Sequence, residues 1–332
     1  MHSIPSVTVI VPVYGVELYI EKCARSIFEQ TLKEIEILFV NDCSKDRSVE
    51  IIERILDLYP ERKASTRIIN MPSNSGQAAV RRQGIIEATG DYIIHCDGDD
   101  WVDVDLYEKM YLEAIRTNAD IVVSDEVLEY ENRSQKKRIA DLPSDGKQLM
   151  REWYKNTIGL FCHNKLVRRT LYVDNDILPW IGLNMWEDNG LFARLFYYAT
   201  KVSQIHGPVY HYNRSNVNAM TAGYGIQQVE QMIGVASHLT DFYESKEDAK
   251  DYQKTIWAFQ FLAKLNLITN SFDQYKRYKE IFPESANVIK EIPLHAFSAK
   301  GKFRFQMVRY GLAPLFILMF KVRNLVLRCR LA

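Results

Sequence analysis

Short apolar runs alternate with amphipathic segments over the first 130 residues. Runs rich in β-branched residues predict five strands, at 7–13, 35–41, 66–70, 91–96 and 120–125. Between them, apolar residues recur at helical spacing, first at Ile20, Ala24 and Ile27 and then over 47–59, 77–88 and 106–117. Strands that alternate with helices predict an α/β fold whose mostly parallel sheet is covered by helices on both faces.

The alternation weakens after residue 130. A polar, turn-rich stretch at 131–147 predicts a surface excursion. Helical spacing returns at 146–155 and 188–199, short strands are predicted at 201–205 and 209–213, and 224–282 is mostly helical in pattern. We therefore expect an α/β domain over 1–215 with halves at 1–130 and 131–215, a helical region over 216–298, and a basic, apolar tail over 299–332.

Composition narrows the classes of function and compartment. Lysine plus arginine and aspartate plus glutamate number 42 each, so no net positive field suggests a nucleic-acid partner. The 5 cysteines include no C-x-x-C pair, which argues against a disulfide framework or a zinc site. No basic segment precedes the first apolar run, so we expect no secretory signal and a reducing, cytoplasmic location.

The tail departs from this charge balance. Residues 300–332 carry 8 basic residues and no acidic one. Their apolar run, Leu312 to Phe320, is interrupted by Pro314 and is shorter than the roughly 18 residues that a spanning helix needs. Apolar side chains among lysines and arginines predict a segment that lies in the interface of an anionic membrane. The alternative is a terminal helix that packs on the protein with its arginines solvated.

Polar groups occur at the carboxyl ends of three of the predicted strands. The segments concerned are Pro12-Val13-Tyr14, Asn41-Asp42 and Asp97-Gly98-Asp99-Asp100. In an open α/β sheet, ligands bind outside the carboxyl ends of the strands, so these groups are expected to converge. Carboxylates on either side of a flexible glycine suit a hard cation with oxygen ligands. We therefore expect Mg²⁺ or Mn²⁺, brought in with a diphosphate. Taken singly, Asp42 could instead belong to a turn, and the acidic cluster could be a solvated loop.

Two long segments resemble the opening of glycosyltransferase family 2, which has the GT-A fold. They are "VTVIVPVYGVELYIEKCARSIFEQTLKEIEILFVNDCSKDRS" (7–48) and "NSGQAAVRRQGIIEATGDYIIHCDGDDWV" (74–102). The resemblance continues through "FCHNKLVRR" (161–169) and "WEDNGLF" (186–192). The chain departs from the family pattern at Asn41 and Cys43, where aspartate and glycine are usual, and at Arg82, where asparagine is usual. These departures affect the fine contacts of the donor and not the metal.

The resemblance implies a role for residues at each of these motifs. Asp42 would hydrogen-bond the nucleobase and favour uracil, and Asp97 and Asp99 would form the metal-binding D-x-D pair, with Asp97 also turned towards the ribose. Asp188 would be the catalytic base. The implied donor-binding set comprises Pro12, Val13, Tyr14, Asp42, Asn74, Gly76, Arg81 and Asp97.

Three further residues have two interpretations each. His211, in "YHYNRSN", could be an additional metal ligand, because imidazole joins carboxylates at such ions, or it could simply be packed on a strand. Trp180 and Trp186 could form a sugar-stacking wall on the acceptor side, or they could be core aromatics.

The resemblance implies an inverting, metal-dependent glycosyltransferase. The donor would be a nucleotide sugar, most simply a uridine diphosphate sugar, and the acceptor a surface polysaccharide or a lipid-linked oligosaccharide at the inner face of the cell membrane. Two other classes stay open. A sugar-1-phosphate nucleotidyltransferase would need a glycine-rich, basic phosphate loop after the first strand, where this chain has "PVYGVELY". A non-catalytic glycan-binding module would not need the full set of acids.

Overall fold

The computed structural model describes residues 5–156, 158–216, 225–268, 272–294, 297 and 299–319. The chain forms two compact units. The first comprises 1–149 and 159–222, and it contains the sheet. The second comprises 150–158 and 223–332, and its described part is helical.

The described residues of the first unit form nine strands: β1 (Val7–Val13), β2 (Ile35–Asn41), β3 (Thr66–Asn70), β4 (Tyr92–His95), β5 (Trp101–Val102), β6 (Ile121–Tyr130), β7 (Arg133–Lys137), β8 (Lys165–Arg168) and β9 (Val202–Asn213). The helices that begin in this unit are α1 (Ile20–Phe28), α2 (Ser48–Leu56), α3 (Gln77–Glu87), α4 (Leu106–Thr117), α5 (Gly146–Arg151), α7 (Arg169–Asp174) and α8 (Glu187–Tyr198). The second unit holds α6 (Trp153–Asn156), α9 (Ile226–Glu244), α10 (Gln253–Leu265), α11 (Phe272–Glu280) and α12 (Ala299–Arg309).

The nine strands form one sheet in the order β3-β2-β1-β4-β8-β6-β9-β5, with β7 paired to β6. The first four are parallel, and Val7 to Val13 pair in register with Ile35 to Asn41. From β4 onward the sheet is mixed, because β8 runs antiparallel to both β4 and β6 whereas β9 is parallel to β6. The α/β fold and the helices that flank its sheet are therefore confirmed, and the parallel part is the half built from the first four strands.

Alternation along the strands explains how the two faces of the sheet are covered. Val7, Val9 and Val11 belong to the same buried cluster as residues of α1, α2 and α4. Ile10 points to the other face, where α3 comes close. A Cβ added at Gly84 of α3 would lie 2.4 Å from Ile10 Cγ2, so glycine allows this helix to approach the strand.

Three differences from the sequence prediction lie beyond residue 130. The predicted excursion contains β7, whose five residues are all exposed and therefore carry no apolar pattern. The two strands predicted at 201–205 and 209–213 are one strand, β9, which passes through Gly207 at a φ of 120°. The four-residue strand β8 was not predicted.

The second unit buries apolar side chains of α9 and α10, as the helical pattern over 224–282 predicts. In the described part of the tail, α12 and a helix at 313–319 bury Phe305, Phe316 and Ile317. Leu315 and Leu318 remain about half exposed. Across the described ranges, no helix is long and apolar enough to span a bilayer. Lys321, Arg323, Arg328 and Arg330, which complete the predicted basic segment, lie outside the described residues.

Candidate active site

The carboxyl end of β2 fixes the segment that precedes α3. Asp42 is buried, and its carboxylate accepts the backbone N–H groups of Ser75 at 2.7 Å and Gly76 at 2.8 Å. Its own N–H donates to Val13 O at the end of β1. The next residue, Cys43, has a φ of 58°, a left-handed conformation that glycine adopts without strain. This explains physically why glycine is common at that position in the family that the sequence resembles.

Asn184 contacts the first turn of α3. Its side-chain Oδ1 accepts the N–H of Ala78 at 3.0 Å, which satisfies one of the free donors at the start of the helix. Gly76 has a φ of 82°, and a Cβ there would lie 2.3 Å from the Asn184 amide. Gly76 is therefore required for both its backbone conformation and its close contact. Asn74 precedes Ser75 and Gly76 in the chain, and its side chain is exposed.

Residues 97–100, which we call the D-x-D-D loop, follow β4. The loop lies against the end of β1, because a Cβ at Gly98 would be 2.9 Å from Pro12 O. Asp97 N–H donates to the Tyr210 hydroxyl at 3.0 Å, and this hydroxyl donates to Asp100 Oδ2 at 2.6 Å. Strand β9 therefore holds the loop at both its first and its last residue.

The carboxylates of the D-x-D-D loop perturb one another. Burial, followed by the charge of Asp97, raises the pKa of Asp99. Burial, followed by the charges of Asp99 and Asp97, raises the pKa of Asp100 well above its usual value. Asp99 accepts a 2.7 Å hydrogen bond from Asn216 Nδ2. Partly desolvated carboxylates that repel one another favour the arrival of a cation.

Arg81, on α3, links this loop to the start of α8. Its Nη2 lies 2.6 Å from Asp97 Oδ1, and its Nε lies 3.3 Å from Glu187 Oε1. The guanidinium is almost fully buried, and its Nη1 has no hydrogen-bond partner among the described residues. A buried guanidinium with one free donor is suited to a further anionic partner.

The two acids at the start of α8, Glu187 and Asp188, both have pKa values above the usual range of a carboxyl group. Burial and the charge of Asp188 raise the pKa of Glu187 to about 8, although Arg81 lies nearby. Burial also raises the pKa of Asp188, whereas Arg81 and the hydrogen bonds from Asn189 oppose that rise. The two carboxyl groups therefore titrate as a coupled pair, in which Glu187 is largely protonated at neutral pH. Trp186, just before the helix, has a left-handed φ of 68°. Strained backbone of this kind is found at functional sites.

The remaining predicted donor residues line the same edge of the sheet. Tyr14 is 55% exposed at the end of β1, while Val13 is buried and Pro12 is partly buried. Trp180 is partly buried, and its ring centroid lies 3.9 Å from the Arg194 guanidinium carbon. Asp42 contacts Val13 and Gly76, and Arg81 contacts both Asp97 of the D-x-D-D loop and Glu187, which Asp188 follows in the chain.

His211 lies apart from this set of contacts. Its Nε2 is 3.0 Å from Asp103 Oδ1, its Nδ1 is 2.8 Å from Glu129 Oε1, and its ring stacks on Trp101. Both ring nitrogens thus have carboxylate partners outside the D-x-D-D loop. A role of His211 as a metal ligand remains a prediction, and it would require His211 to exchange one of these partners.

The residues fit a divalent cation that arrives with its ligand. Within the described ranges, no three His, Cys, Asp or Glu side chains converge closely enough to hold a metal by themselves. Mg²⁺ commonly takes only one or two carboxylates and completes its shell with substrate phosphates and water. Asp99, whose pKa is raised by burial and then by the charge of Asp97, suits such a role.

Several residues of the site were missed by the sequence reasoning. Tyr210 and Asn213 bind Asp100, Asn216 binds Asp99, and Asn184 caps α3. Tyr210, Asn213 and Asn216 belong to "YHYNRSN", a stretch that the sequence reasoning noted only for its histidine. The polar residues that surround the histidine were the available signal. Asn184 had none, because its role depends on a contact made 106 residues away.

Comparison of the sequence with known proteins finds a matching family and similar chains. A family model described as Glycosyl transferase family 2 matches residues 8–174. EpsJ of Bacillus subtilis (strain 168), named as an uncharacterized glycosyltransferase, is 31% identical over 250 residues, which are 73% of this chain and 69% of that protein. EpsH of the same organism, also named as a glycosyltransferase, is 29% identical over 261 residues, 77% of this chain and 74% of that protein.

Solved structures share the fold. Residues 1–349 of TarS from S. aureus, in complex with UDP-GlcNAc, align with a TM-score of 0.66 at 16% identity over 96% of this chain and 91% of that one. The mannosyltransferase PcManGT from Pyrobaculum calidifontis, in complex with GDP-Man and Mn²⁺, aligns with a TM-score of 0.55 at 14% identity over 98% of this chain and 88% of that one. At these identities the likeness extends to the fold alone.

Proposed function

Because the chain belongs to glycosyltransferase family 2, we propose that it transfers a sugar from a nucleotide donor to an acceptor hydroxyl, with inversion at the anomeric carbon. Membership of this family sets aside the nucleotidyltransferase and the non-catalytic module. The observation that carries the proposal is the Arg81 bridge, which joins the D-x-D-D loop to the acids at the start of α8.

The donor side is the edge formed by the ends of β1, β2 and β4. Tyr14, which is exposed, and Asp42, which accepts the N–H groups of Ser75 and Gly76, are proposed to contact the nucleobase, with Pro12 and Val13 beside them. Asn74 and Gly76 follow just ahead of α3, where the helix dipole favours a phosphate, while the N–H groups of Ser75, Gly76 and Ala78 are already bound by Asp42 and Asn184. We propose a uridine diphosphate sugar, which agrees with the uridine nucleotides bound by TarS. The guanosine nucleotide bound by PcManGT marks the alternative base.

The metal is proposed to lie at Asp99, with Asp97 beside it. When bound, a divalent cation there would neutralise negative charge on the departing nucleoside diphosphate. Arg81 provides a second, permanent positive charge, because it is buried against Asp97 and stays protonated. The loop holds its carboxylates in place through Tyr210 before any ligand arrives. Such preorganisation avoids a reorganisation cost during the reaction.

Asp188 is proposed as the general base. Its neighbour Glu187, whose pKa is raised to about 8, is largely protonated at neutral pH, and the raised pKa of Asp188 makes its carboxylate a better proton acceptor than that of an ordinary aspartate. The acceptor hydroxyl would lose its proton to Asp188 as its oxygen attacks the anomeric carbon from the face opposite the diphosphate. One displacement of this kind inverts the anomeric centre and needs no nucleophilic side chain. Trp180 and Trp186 are proposed to contact the acceptor sugar.

The acceptor is proposed to be a surface polysaccharide or a lipid-linked oligosaccharide, with the enzyme held on an anionic membrane through its tail. The described part of the tail supports this proposal with Leu315, Leu318 and Met319, each about half exposed. Lys302 and Arg309 are two of the basic residues of α12, which precedes the helix at 313–319 in the chain. Vesicle co-sedimentation of the full chain and of a form that ends at Ser298 tests it, because equal sedimentation with anionic vesicles would remove the membrane role.

A donor-hydrolysis panel tests the proposed chemistry. Purified protein is incubated with UDP- and GDP-sugars and Mn²⁺, and release of the nucleotide is measured with and without chelator. We expect release from one UDP-sugar that chelator abolishes. The Asp188→Asn variant should bind the same nucleotide without turnover. Equal release in chelator would contradict the metal, and preference for GDP-sugars would contradict the donor.

A further inference from the structure

Three aromatic rings form a column beside the D-x-D-D loop. The His163 ring stacks on Phe161 with centroids 5.3 Å apart and planes at 9°, and on Tyr210 with centroids 4.4 Å apart and planes at 22°. Phe161 is 37% exposed, whereas Tyr210 is fully buried. The column therefore runs from the protein surface to the tyrosine whose hydroxyl holds the loop.

The middle ring of the column is anchored by a carboxylate of β6. His163 Nε2 lies 2.9 Å from Glu126 Oε2, and both side chains are less than 10% exposed. Burial alone would raise the pKa of Glu126, but the hydrogen bond and charge of His163, helped by Lys137 and Lys165, lower it to about 2. An ionised carboxylate on one ring nitrogen fixes the orientation of an imidazole.

Tyr210 links the ring column to the D-x-D-D loop. Its hydroxyl accepts the N–H of Asp97 and donates to Asp100, so it closes the loop at both ends. A tyrosine ring has two rotatable side-chain torsions, and the ring face of His163 restricts both by packing. A shift of this ring would move the hydroxyl away from two residues of the D-x-D-D loop at once.

We propose that His163 is a positioning residue of the active site, which fixes Tyr210 and through it the backbone of the D-x-D-D loop. His163 acts here as a rigid spacer that is pinned by Glu126, and it needs no contact with the donor. The consequence for donor affinity rests on the proposed function, whereas the consequence for the order of the loop does not.

Strand β6 supplies a matched control. Asp125 precedes Glu126 and also pairs with a histidine, since its Oδ1 lies 3.0 Å from His206 Nδ1. The register of β6 against β9 shifts between Ser124 and Glu126, so Asp125 lies at an irregularity of the strand, and its partner His206 is not one of the three stacked rings. Asp125 accepts the N–H of Ile139 and thereby holds a surface segment. Loss of His206 thus removes a similar ion pair without touching the column.

The experiment compares His163→Leu, Tyr210→Phe, the double variant and His206→Ala. Hydrogen–deuterium exchange of the peptide that covers the D-x-D-D loop is measured without ligand, and the affinity for UDP with Mn²⁺ is measured by calorimetry. His163→Leu and Tyr210→Phe should each accelerate loop exchange and weaken UDP binding by about tenfold, as expected for a local opening of the loop. The double variant should add little, because both changes break one linkage. His206→Ala should stay within about twofold of wild type.

A second substitution protects the test against misfolding. His163→Phe keeps a ring in the column but loses the bond to Glu126, and it should also accelerate loop exchange. The inference is overturned if the two single effects multiply in the double variant, if His206→Ala matches His163→Leu, or if both His163 variants exchange like wild type. If wild-type protein binds no UDP, the proposed donor is wrong, and loop exchange still decides the role of His163.

Discussion

The site contains two clusters of acids, and the repulsion between their carboxylates is offset to different extents. At the start of α8, burial and the charge of Asp188 raise the pKa of Glu187 to about 8, and the guanidinium of Arg81 lies against Glu187. In the D-x-D-D loop, Arg81 contacts Asp97, while the pKa values of Asp99 and Asp100 are raised by burial and mutual repulsion. The first cluster is balanced by groups of the protein itself. The second retains repulsion that a bound cation would relieve.

Under the proposed mechanism, this difference separates the roles of the two clusters. A carboxylate whose pKa is raised, beside a neighbour that is largely protonated, suits the proposed role of Asp188 as proton acceptor. Carboxylates that still repel one another are prepared to bind a metal, which suits Asp99. Arg81 makes the two clusters one electrostatic unit, because it contacts both. Substitutions in each cluster should therefore fail in different ways.

The largest effect is expected for Asp99→Asn. The change keeps the volume of the side chain but removes its charge, so the cation should bind poorly and the departing diphosphate should lose its neutralisation. We expect transfer to fall by at least about a thousandfold, equivalent to several kcal/mol of transition-state stabilisation. Steady-state transfer assays over a range of Mn²⁺ concentrations measure this.

Asp105→Asn serves as the control for Asp99→Asn. Asp105 is three residues beyond β5 on the chain and forms a surface ion pair with Lys109. It should leave the rate within about twofold of wild type, as for most surface changes. Wild-type activity that is as high in excess chelator as in Mn²⁺ would remove the metal from the mechanism.

Asp188→Asn should lower kcat by about a hundredfold or more, the usual range for loss of a general base. The affinity for UDP should hardly change, because the acid faces the acceptor in the proposed mechanism. Glu187→Gln is the matched control within the same cluster. Since the pKa of Glu187 is raised to about 8, glutamine mimics the form already present at neutral pH. Its kcat should remain within a few-fold of wild type, and a larger loss than for Asp188→Asn would reverse the two roles.

Arg81→Gln should link the two clusters through the pH profile. Arg81 opposes the rise in the pKa of Asp188, so its loss should raise that pKa further. A base works only when ionised, and the acid limb of the kcat/KM profile should therefore move to higher pH. At neutral pH we expect a loss of about thirtyfold, which corresponds to one charge-assisted hydrogen bond.

The pH profile of the Arg81→Gln variant also distinguishes two explanations for such a loss. If the electrostatic link is correct, part of the lost activity returns as the pH is raised. A uniform loss with an unmoved acid limb would mean that Arg81 serves only Asp97 and the donor. Arg82→Gln, one residue further along α3, is the control, and its acid limb should match that of wild type.

The sequence predicted the strands and the loop that carry the candidate donor residues better than the elements that hold them in place. Strands β1 and β2 are mostly apolar runs that end at polar residues, and the D-x-D-D loop follows a similar run. This pattern depends only on neighbours in the chain. The supports depend on distant pairings. Strand β8 has four residues and lies between β4 and β6, so its hydrogen bonds are made with residues far along the chain.

Individual residues show the same limit. His211 stood out because histidine is rare and versatile, yet its carboxylate partners, Asp103 and Glu129, depend on the register between strands. Glu126 and His163 carried no pattern that would pair them across 37 positions. The family resemblance identified residues in recurrent motifs, whereas the side chains that hold those residues in place were identified only from contacts in the fold.

The smallest effect is expected far along the chain from both acid clusters, in the tail. Leu315 is 49% exposed, so membrane insertion would bury about half of its side chain, worth about 1 kcal/mol or roughly fivefold in partitioning. Leu315→Ser should lower co-sedimentation with anionic vesicles by that factor and leave donor hydrolysis in solution unchanged. Leu112→Ser is the control, because Leu112 on α4 is 59% exposed and lies outside the tail. Equal losses for both variants would mean that exposed leucines bind vesicles without regard to position, and no loss for Leu315→Ser would exclude its helix face from the membrane contact.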